Sequence, residues 1–289
     1  MAGLELTGDV GGTATRLADG PILGRVMDWP CEPDVAQIVL ADHHMHPTPS
    51  VVADWVTRAL IARPATRAIR TGAMFPEAAR AFDSAGFHTI DTLALLEARL
   101  DSIGQRVAPG QRWRTSTQRM RTGHLGGAAA IDQRAFGSPW GNDVASLTSI
   151  SDATPRHRAR VINAVHDGDP TDPRPRLAGF AITGLSGAFG YLQRLAVDPT
   201  ARRQGLAREL VDDSMQWMRR RGATTAMVNT ALDNQGALAL YADAGFRHRP
   251  DTLTILELSG PALSGARAGA GLSDLGRTVA DSDVEGLPR

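Results

Sequence analysis

Arg202, Arg203 and Gly205 stand between an apolar, strand-like run over residues 191–197 and an amphipathic helix pattern that begins at Leu206. Leu206, Leu210, Val211, Met215 and Met218 recur on one stripe of that helix. A helix start carries unpaired N–H groups and the positive end of the helix dipole, and both suit a phosphate. Gly205 has no Cβ and lets backbone approach an anion closely. The two arginines can add charge-assisted hydrogen bonds. A basic helix start can equally be a solvated surface turn, and this segment alone leaves both readings open.

A second segment comes after a β-like run over residues 225–229. It runs from Asn234, a good helix N-cap, to Gly245, a good terminator in the left-handed conformation, and so predicts a short helix capped at both ends. Tyr241 lies on it, one turn from Ala237 and Leu238. Taken alone, Tyr241 reads more simply as a core tyrosine than as a catalyst.

Together the two segments resemble the GNAT family of acetyl-CoA-dependent N-acetyltransferases. The family's pyrophosphate loop, Arg/Gln-x-x-Gly-x-Gly/Ala, is matched by Arg202, Gly205 and Ala207. Its later Asn-x-x-Ala-x-x-x-Tyr followed by Gly-Phe is matched by Asn234, Ala237, Tyr241, Gly245 and Phe246. The resemblance covers residues 112–259. It implies an α/β (α+β) fold with a mixed, mostly antiparallel central sheet flanked by helices.

The resemblance also implies roles. Backbone groups of Leu195, Ala196 and Val197 would bind the pantetheine arm and thioester of acetyl-CoA. The loop and helix start, Arg202, Arg203, Gln204, Gly205, Leu206, Ala207 and Arg208, would hold the pyrophosphate, and Asn234 would touch the cosubstrate. Tyr241 would act as general acid on the departing thiolate. A thiol of pKa about 8.5 benefits from such a donor, and a phenol near 10 can be one. Relatives that acetylate protein N-termini often carry a basic glutamate on the strand before this helix. Twelve positions before Tyr241 stands Asn229, which cannot take a proton at neutral pH. Its role is open, with Asp132, Asp233 or water as substitutes.

The stretch from Ile131 to Trp140 is similar to the matching part of bacterial ribosomal-protein N-terminal (alanine) acetyltransferases. There it helps to line the acceptor groove, which would give Phe136 and Trp140 a substrate-binding role. Simple core packing is the competing reading, with Ala128, Ile131 and Phe136 on the inward face of a helix over residues 124–136. A site without a strong base suits an amine of low pKa. At pH 7 an α-amine near pKa 8 is about a tenth neutral, whereas a lysine amine near 10.4 is almost wholly protonated. The expected acceptor is therefore a peptide or protein α-amine. The alternatives are a small amine, as in the tandem mycothiol synthases, or a non-catalytic CoA-binding regulatory module.

An internal repeat supports a tandem arrangement. Phe82-Asp83-Ser84-Ala85-Gly86-Phe87 echoes the Tyr241–Phe246 hexapeptide at 159 positions' distance, and residues 91–97 echo residues 251–257. The first copy has Phe82 where the second has Tyr241 and lacks the arginine–glycine loop, so it reads as truncated and degenerate. Its predicted elements are strands at 4–17, 22–27, 35–40, 66–70 and 89–96 and helices at 49–62 and 77–85. The expected boundaries are a degenerate domain at 1–105, a linker at 106–111, a catalytic domain at 112–260 and a disordered tail at 261–289, rich in Gly, Ala, Ser and Asp.

Composition bounds the rest. The 289 residues carry 31 basic and 31 acidic side chains, every basic one an arginine. Zero net charge argues against a general nucleic-acid binder. Cys31 is the only cysteine, which excludes an internal disulfide and suits a reducing cytoplasm. No secretory signal and no membrane-crossing apolar run are evident. His43, His44 and His46 match no common ligand spacing, so no metal is expected. Oligomeric state is not legible.

Overall fold

The computed structural model describes residues 15–19, 22–40, 46–101, 117–164 and 176–272. The expected strand before residue 15, His43 and His44, the 106–111 linker and the chain after 272 lie outside these residues. The fold is mixed α/β, with mostly antiparallel strands flanked by helices, and the residues pack as two units.

The first unit comprises the described residues up to Thr92 together with 252–272. Strands β1 (Thr15–Asp19), β2 (Ile22–Trp29) and β3 (Glu32–Leu40) form an antiparallel meander. Helix α1 (Pro49–Ala62) then crosses over to β4 (Ala68–Thr71), which runs parallel to β3. Such a connection needs a covering helix, and α1 supplies it. Thr48 caps α1 by accepting the Val51 N–H, and a proline sits in its first turn. Helix α2 (Pro76–Ser84) comes next. Ile38, Trp55, Leu60, Ile69, Met74 and Phe82 are among the large side chains sealed in this core.

The second unit spans residues 93–251. Its sheet is ordered from the carboxyl-terminal part of β5 (His88–Arg99) through β10 (Thr225–Ala231), β9 (Phe189–Val197), β8 (Arg176–Ser186) and β7 (Arg156–Ala164) to the short β6 (Gln118–Arg119). Helices α3 (Thr122–Phe136), α4 (Val144–Asp152), α5 (Leu206–Arg220) and α6 (Gln235–Ala244) cover it. The stripe of α5 is buried as its spacing predicts, with Leu210, Val211 and Met218 fully so. Gly190 on β9 allows this packing, because a Cβ there would lie 2.4 Å from the Met218 sulfur.

The two repeats exchange their last strands. β5, from the first copy, pairs antiparallel with β10 from Leu93↔Ala231 to Arg99↔Thr225. β11 (Arg247–Ser259), from the second copy, pairs with β4 from Glu257↔Arg70 to Ser259↔Ala68. The packing units therefore cut across the repeat boundary read from the sequence.

One expectation is corrected here. The composition of residues 261–289 predicts disorder, yet Gly260–Gly269 forms helix α7. Its Leu263 is buried among the apolar side chains of the first unit, Ala266 packs beside it and Arg267 donates to the Pro64 and Thr66 carbonyls, so tertiary docking outweighs a poor composition.

Candidate active site

The centre of the second unit is a strand that outruns one of its neighbours. β9 and β10 are parallel partners at only three pairs, ending at Met227↔Tyr191. β9 continues to Val197 and β10 to Ala231 without further pairing between them. β9 stays paired with β8 along its whole length, but the register shifts between Thr183↔Leu192 and Ile182↔Arg194. Gln193 is thus an extra residue, a bulge of the kind that bends a strand and re-aims the residues beyond it. Leu195, Ala196 and Val197 lie in that re-aimed stretch, with a peptide edge that β10 does not use.

The loop after β9 is built by Asp198. Its carboxylate accepts bonds from the Thr200 N–H at 3.0 Å, the Thr200 hydroxyl at 2.6 Å and Arg134 Nη2 at 2.5 Å. Burial alone would raise this pKa, but the Thr200 and Arg134 hydrogen bonds win and hold it at about 2. This ties the end of α3 to the turn at Pro199–Ala201. Arg202, Arg203, Gln204 and Gly205 come next, all exposed. Arg203 and Gly205 both adopt positive φ, +66° and +78°. Gly205 is the N-cap of α5 and offers no side chain to it, so the amides of the first turn remain open to an anion. Leu206 is buried beneath this turn, Ala207 is half-buried, and Arg208 reaches forward to Asp212 at 3.0 Å.

Helix α6 supplies the phenol. Asn234 caps it by accepting the Ala237 N–H at 3.1 Å, and Gly245 ends it at φ +96°. Tyr241 is 5 % exposed and sits edge-on to Phe246 at 5.6 Å. Burial pushes its pKa up, and the charge of Arg194 opposes that rise. At neutral pH Tyr241 therefore holds its proton. Asn229, on β10, is exposed and faces Leu95 of β5 in the ladder.

Arg194 is the residue that motif matching misses. Its Nε and Nη2 hold the two oxygens of Asp132 at 2.7 Å each, and Nη2 also donates to the Trp140 carbonyl at 2.8 Å. Its guanidinium carbon lies 3.6 Å from the centroid of the Phe136 ring, a cation–π contact. Asp132 is fully buried and also accepts from the Asn142 backbone and side-chain amides. Two expectations are corrected by this cluster. Asp132 is no substitute base, because both its oxygens are committed. Phe136 does not face the core; it is 36 % exposed and forms the platform for Arg194. Trp140 is half-buried and contributes its carbonyl. The available signal was a charge inside a mostly apolar strand.

A sheet with one strand outrunning its parallel partner, a glycine-started helix after it and a buried tyrosine on the next helix together offer a free peptide edge, an anion-binding helix start and a proton donor in one α/β unit. Residues 129–246 match the model of the acetyltransferase (GNAT) family. The Escherichia coli (strain K12) [ribosomal protein bS18]-alanine N-acetyltransferase is 31% identical over 127 residues, which cover 44% of this chain and 77% of that protein. N-alpha-acetyltransferase 30 of Schizosaccharomyces pombe is 37% identical over 57 residues, 20% of this chain and 38% of that one. The chain belongs to the GNAT family and is an N-acetyltransferase. Among solved structures, a GCN5-related N-acetyltransferase from Kribbella flavida aligns with a TM-score of 0.55 at 17% identity, covering 87% of this chain and 92% of that one. A tandem GNAT protein from the clavulanic acid biosynthesis pathway gives 0.56 at 16%, covering 84% and 82%. Among the described residues no helix is long and apolar enough to cross a membrane.

Proposed function

We propose that this protein transfers the acetyl group of acetyl-CoA to a primary amine, by direct attack, and that the acceptor is the α-amine of a peptide or protein. The observation that carries this reading is the end of the β9–β10 ladder at Tyr191, upstream of an uncapped helix start at Gly205. The residues present fit the cosubstrate: the free peptide edge at Leu195–Val197 suits the amide-rich pantetheine arm, and the exposed loop from Arg202 to Gly205 suits a diphosphate. Leu206, Ala207 and Arg208 continue that cradle, and the Asn234 amide stands at the start of the tyrosine helix.

In the reaction a neutral amine adds to the thioester carbonyl, the C–S bond breaks, the thiolate takes a proton from Tyr241, and the proton shed by the attacking nitrogen passes through water and restores the phenol. A buried phenol that keeps its proton suits this role. Asn229 cannot accept the amine's proton, so the enzyme relies on the fraction of acceptor already neutral. That fraction is roughly 200-fold larger for an α-amine than for a lysine amine at pH 7. The activities for which the bS18-alanine and N-alpha relatives are named point the same way. A single cysteine agrees with action in the cytoplasm.

The test is acetylation by the purified protein of peptides with a free N-terminus, of Nα-blocked lysine peptides and of small amines, followed by mass spectrometry with acetyl-CoA. Acetylation at α-amines supports the reading. Exclusive modification of lysine side chains or of small amines overturns the acceptor class. Acetyl-CoA binding without turnover on any amine overturns catalysis.

A further inference from the structure

Arg194 is held by three hydrogen bonds and an aromatic face, and they do not use all of its donors. A guanidinium has five N–H donors in a rigid plane. The Nε hydrogen and the two on Nη2 go to Asp132 and the Trp140 carbonyl. The Phe136 ring covers one face of the plane. Nη1, with two donors, has no partner among the described residues, and the side chain retains 19% exposure. Asp132 balances the charge, so the group left over is a pair of fixed, oriented donors rather than a bare cation.

Its position gives those donors a purpose. Arg194 immediately precedes Leu195–Val197 on β9, directly after the bulge. It touches both aromatic residues of the candidate acceptor wall, Phe136 through its ring and Trp140 through its backbone. Its field also reaches the Tyr241 hydroxyl. A donor pair beside Phe136 and Trp140 would face whatever flanks the reacting nitrogen of an acceptor seated on that wall. An α-amine has a carbonyl carbon two bonds from that nitrogen; a lysine ε-amine or a simple alkyl amine has only methylenes.

We propose that Nη1 of Arg194 is the acceptor-recognition group, donating to the carbonyl oxygen next to an α-amine and thereby selecting α-amino acyl acceptors over alkyl amines. This rests on the acetyltransferase reading above. The chemistry recognised is an α-amino carbonyl, found both at a peptide N-terminus and in a free amino acid. Loss of one hydrogen bond to a charged group corresponds to roughly 10- to 100-fold in specificity.

The experiment measures kcat/KM, per neutral amine, for an alanyl peptide, alaninamide, free alanine, 2-aminopropane and an Nα-blocked lysine peptide, in wild type, R194Q and R194K. Wild type should favour the carbonyl-bearing acceptors over 2-aminopropane, and both variants should lose that preference by about 10-fold or more. The acetyl-CoA KM should stay within about twofold. R194K guards against misfolding, because its ammonium still neutralises Asp132 yet cannot span Asp132 and a substrate together. A preference for the peptide assigns the oxygen to an amide; a preference for free alanine assigns it to a carboxylate. Retained discrimination in R194K, or equal rises in both KM values, overturns the proposal. If wild type acetylates no α-amine at all, the proposed function fails first, and that outcome is separate from discrimination that survives the substitution.

Discussion

Arg194 grips Asp132 at two points, Nε to Oδ2 and Nη2 to Oδ1, both at 2.7 Å and across 62 residues of chain. This is the geometry in which arginine is stronger than lysine, because the planar fork matches a carboxylate. It joins α3 to β9 just where β9 leaves its parallel partner. Asp132→Ala would strand a guanidinium against a buried hole and should lower unfolding free energy by about 3–5 kcal/mol. Urea unfolding followed by far-UV circular dichroism checks the value; a loss below about 1 kcal/mol would mean that the site relaxes around the missing carboxylate.

Tyr241→Phe keeps the ring, its edge contact with Phe246 and its place in the core. Only the hydroxyl, and with it the proton it donates, is lost. Turnover should fall by ~10²-fold or more while acetyl-CoA affinity stays unchanged. Calorimetry and single-turnover assays separate the two, and an unaltered rate at saturating substrate would reduce Tyr241 to packing.

Gly205→Ala tests the loop by conformation rather than by space, since a Cβ there meets nothing within 4 Å but φ is +78°. Stability should drop by about 1 kcal/mol. The KM for acetyl-CoA should rise, with the acceptor KM little changed, because the altered turn no longer presents the α5 amides to a diphosphate. Steady-state kinetics with each substrate varied in turn would show it.

Asp198 sets a pH limit. Its carboxyl titrates at about 2 in the fold against about 3.9 in an unfolded chain. A depressed carboxyl pKa stabilises the ionised form, so its contribution is complete above about pH 4 and disappears as pH falls through about 2. Asp198→Asn should lose stability at about pH 6 but converge on wild type near pH 2. Melting temperatures measured across that range test the convergence.

Residues 112–260, the catalytic boundaries suggested by the repeat, omit β5. Cut there, β10 loses its ladder with Leu93–Arg99, and the second core loses Leu96 and Leu100. Burying each of these leucines contributes about 1.5–3 kcal/mol. The fragment is expected to be insoluble or molten, whereas one starting at residue 88 regains the strand. Soluble yield and near-UV circular dichroism distinguish the two.

Local chemistry was legible where the cause is local. Helix α1 spans Pro49–Ala62, as its capping threonine, proline and apolar spacing require. Asn234 and Gly245 bound α6 for the same reason. The features that stayed hidden depend on partners far away in sequence. Phe136 matches the inward spacing of α3, but an arginine 58 positions later draws its ring to the surface. Leu263, Ala266 and Arg267 dock a helix in a stretch whose composition argues against one, because a core formed by the first copy receives it. Strand exchange leaves no local trace either, since β5 and β11 have the same period whichever sheet they join.

That exchange governs the order of events during synthesis. Arg70, stacked on Trp29 and paired with Glu32, takes Glu257 as a second ion-pair partner from 187 positions downstream. Translation is vectorial, so the first copy emerges before β11 and must wait, its β4 edge uncovered, until residues 257–259 have left the ribosome. A stalled or truncated nascent chain would carry an open sheet edge, the usual substrate of holding chaperones.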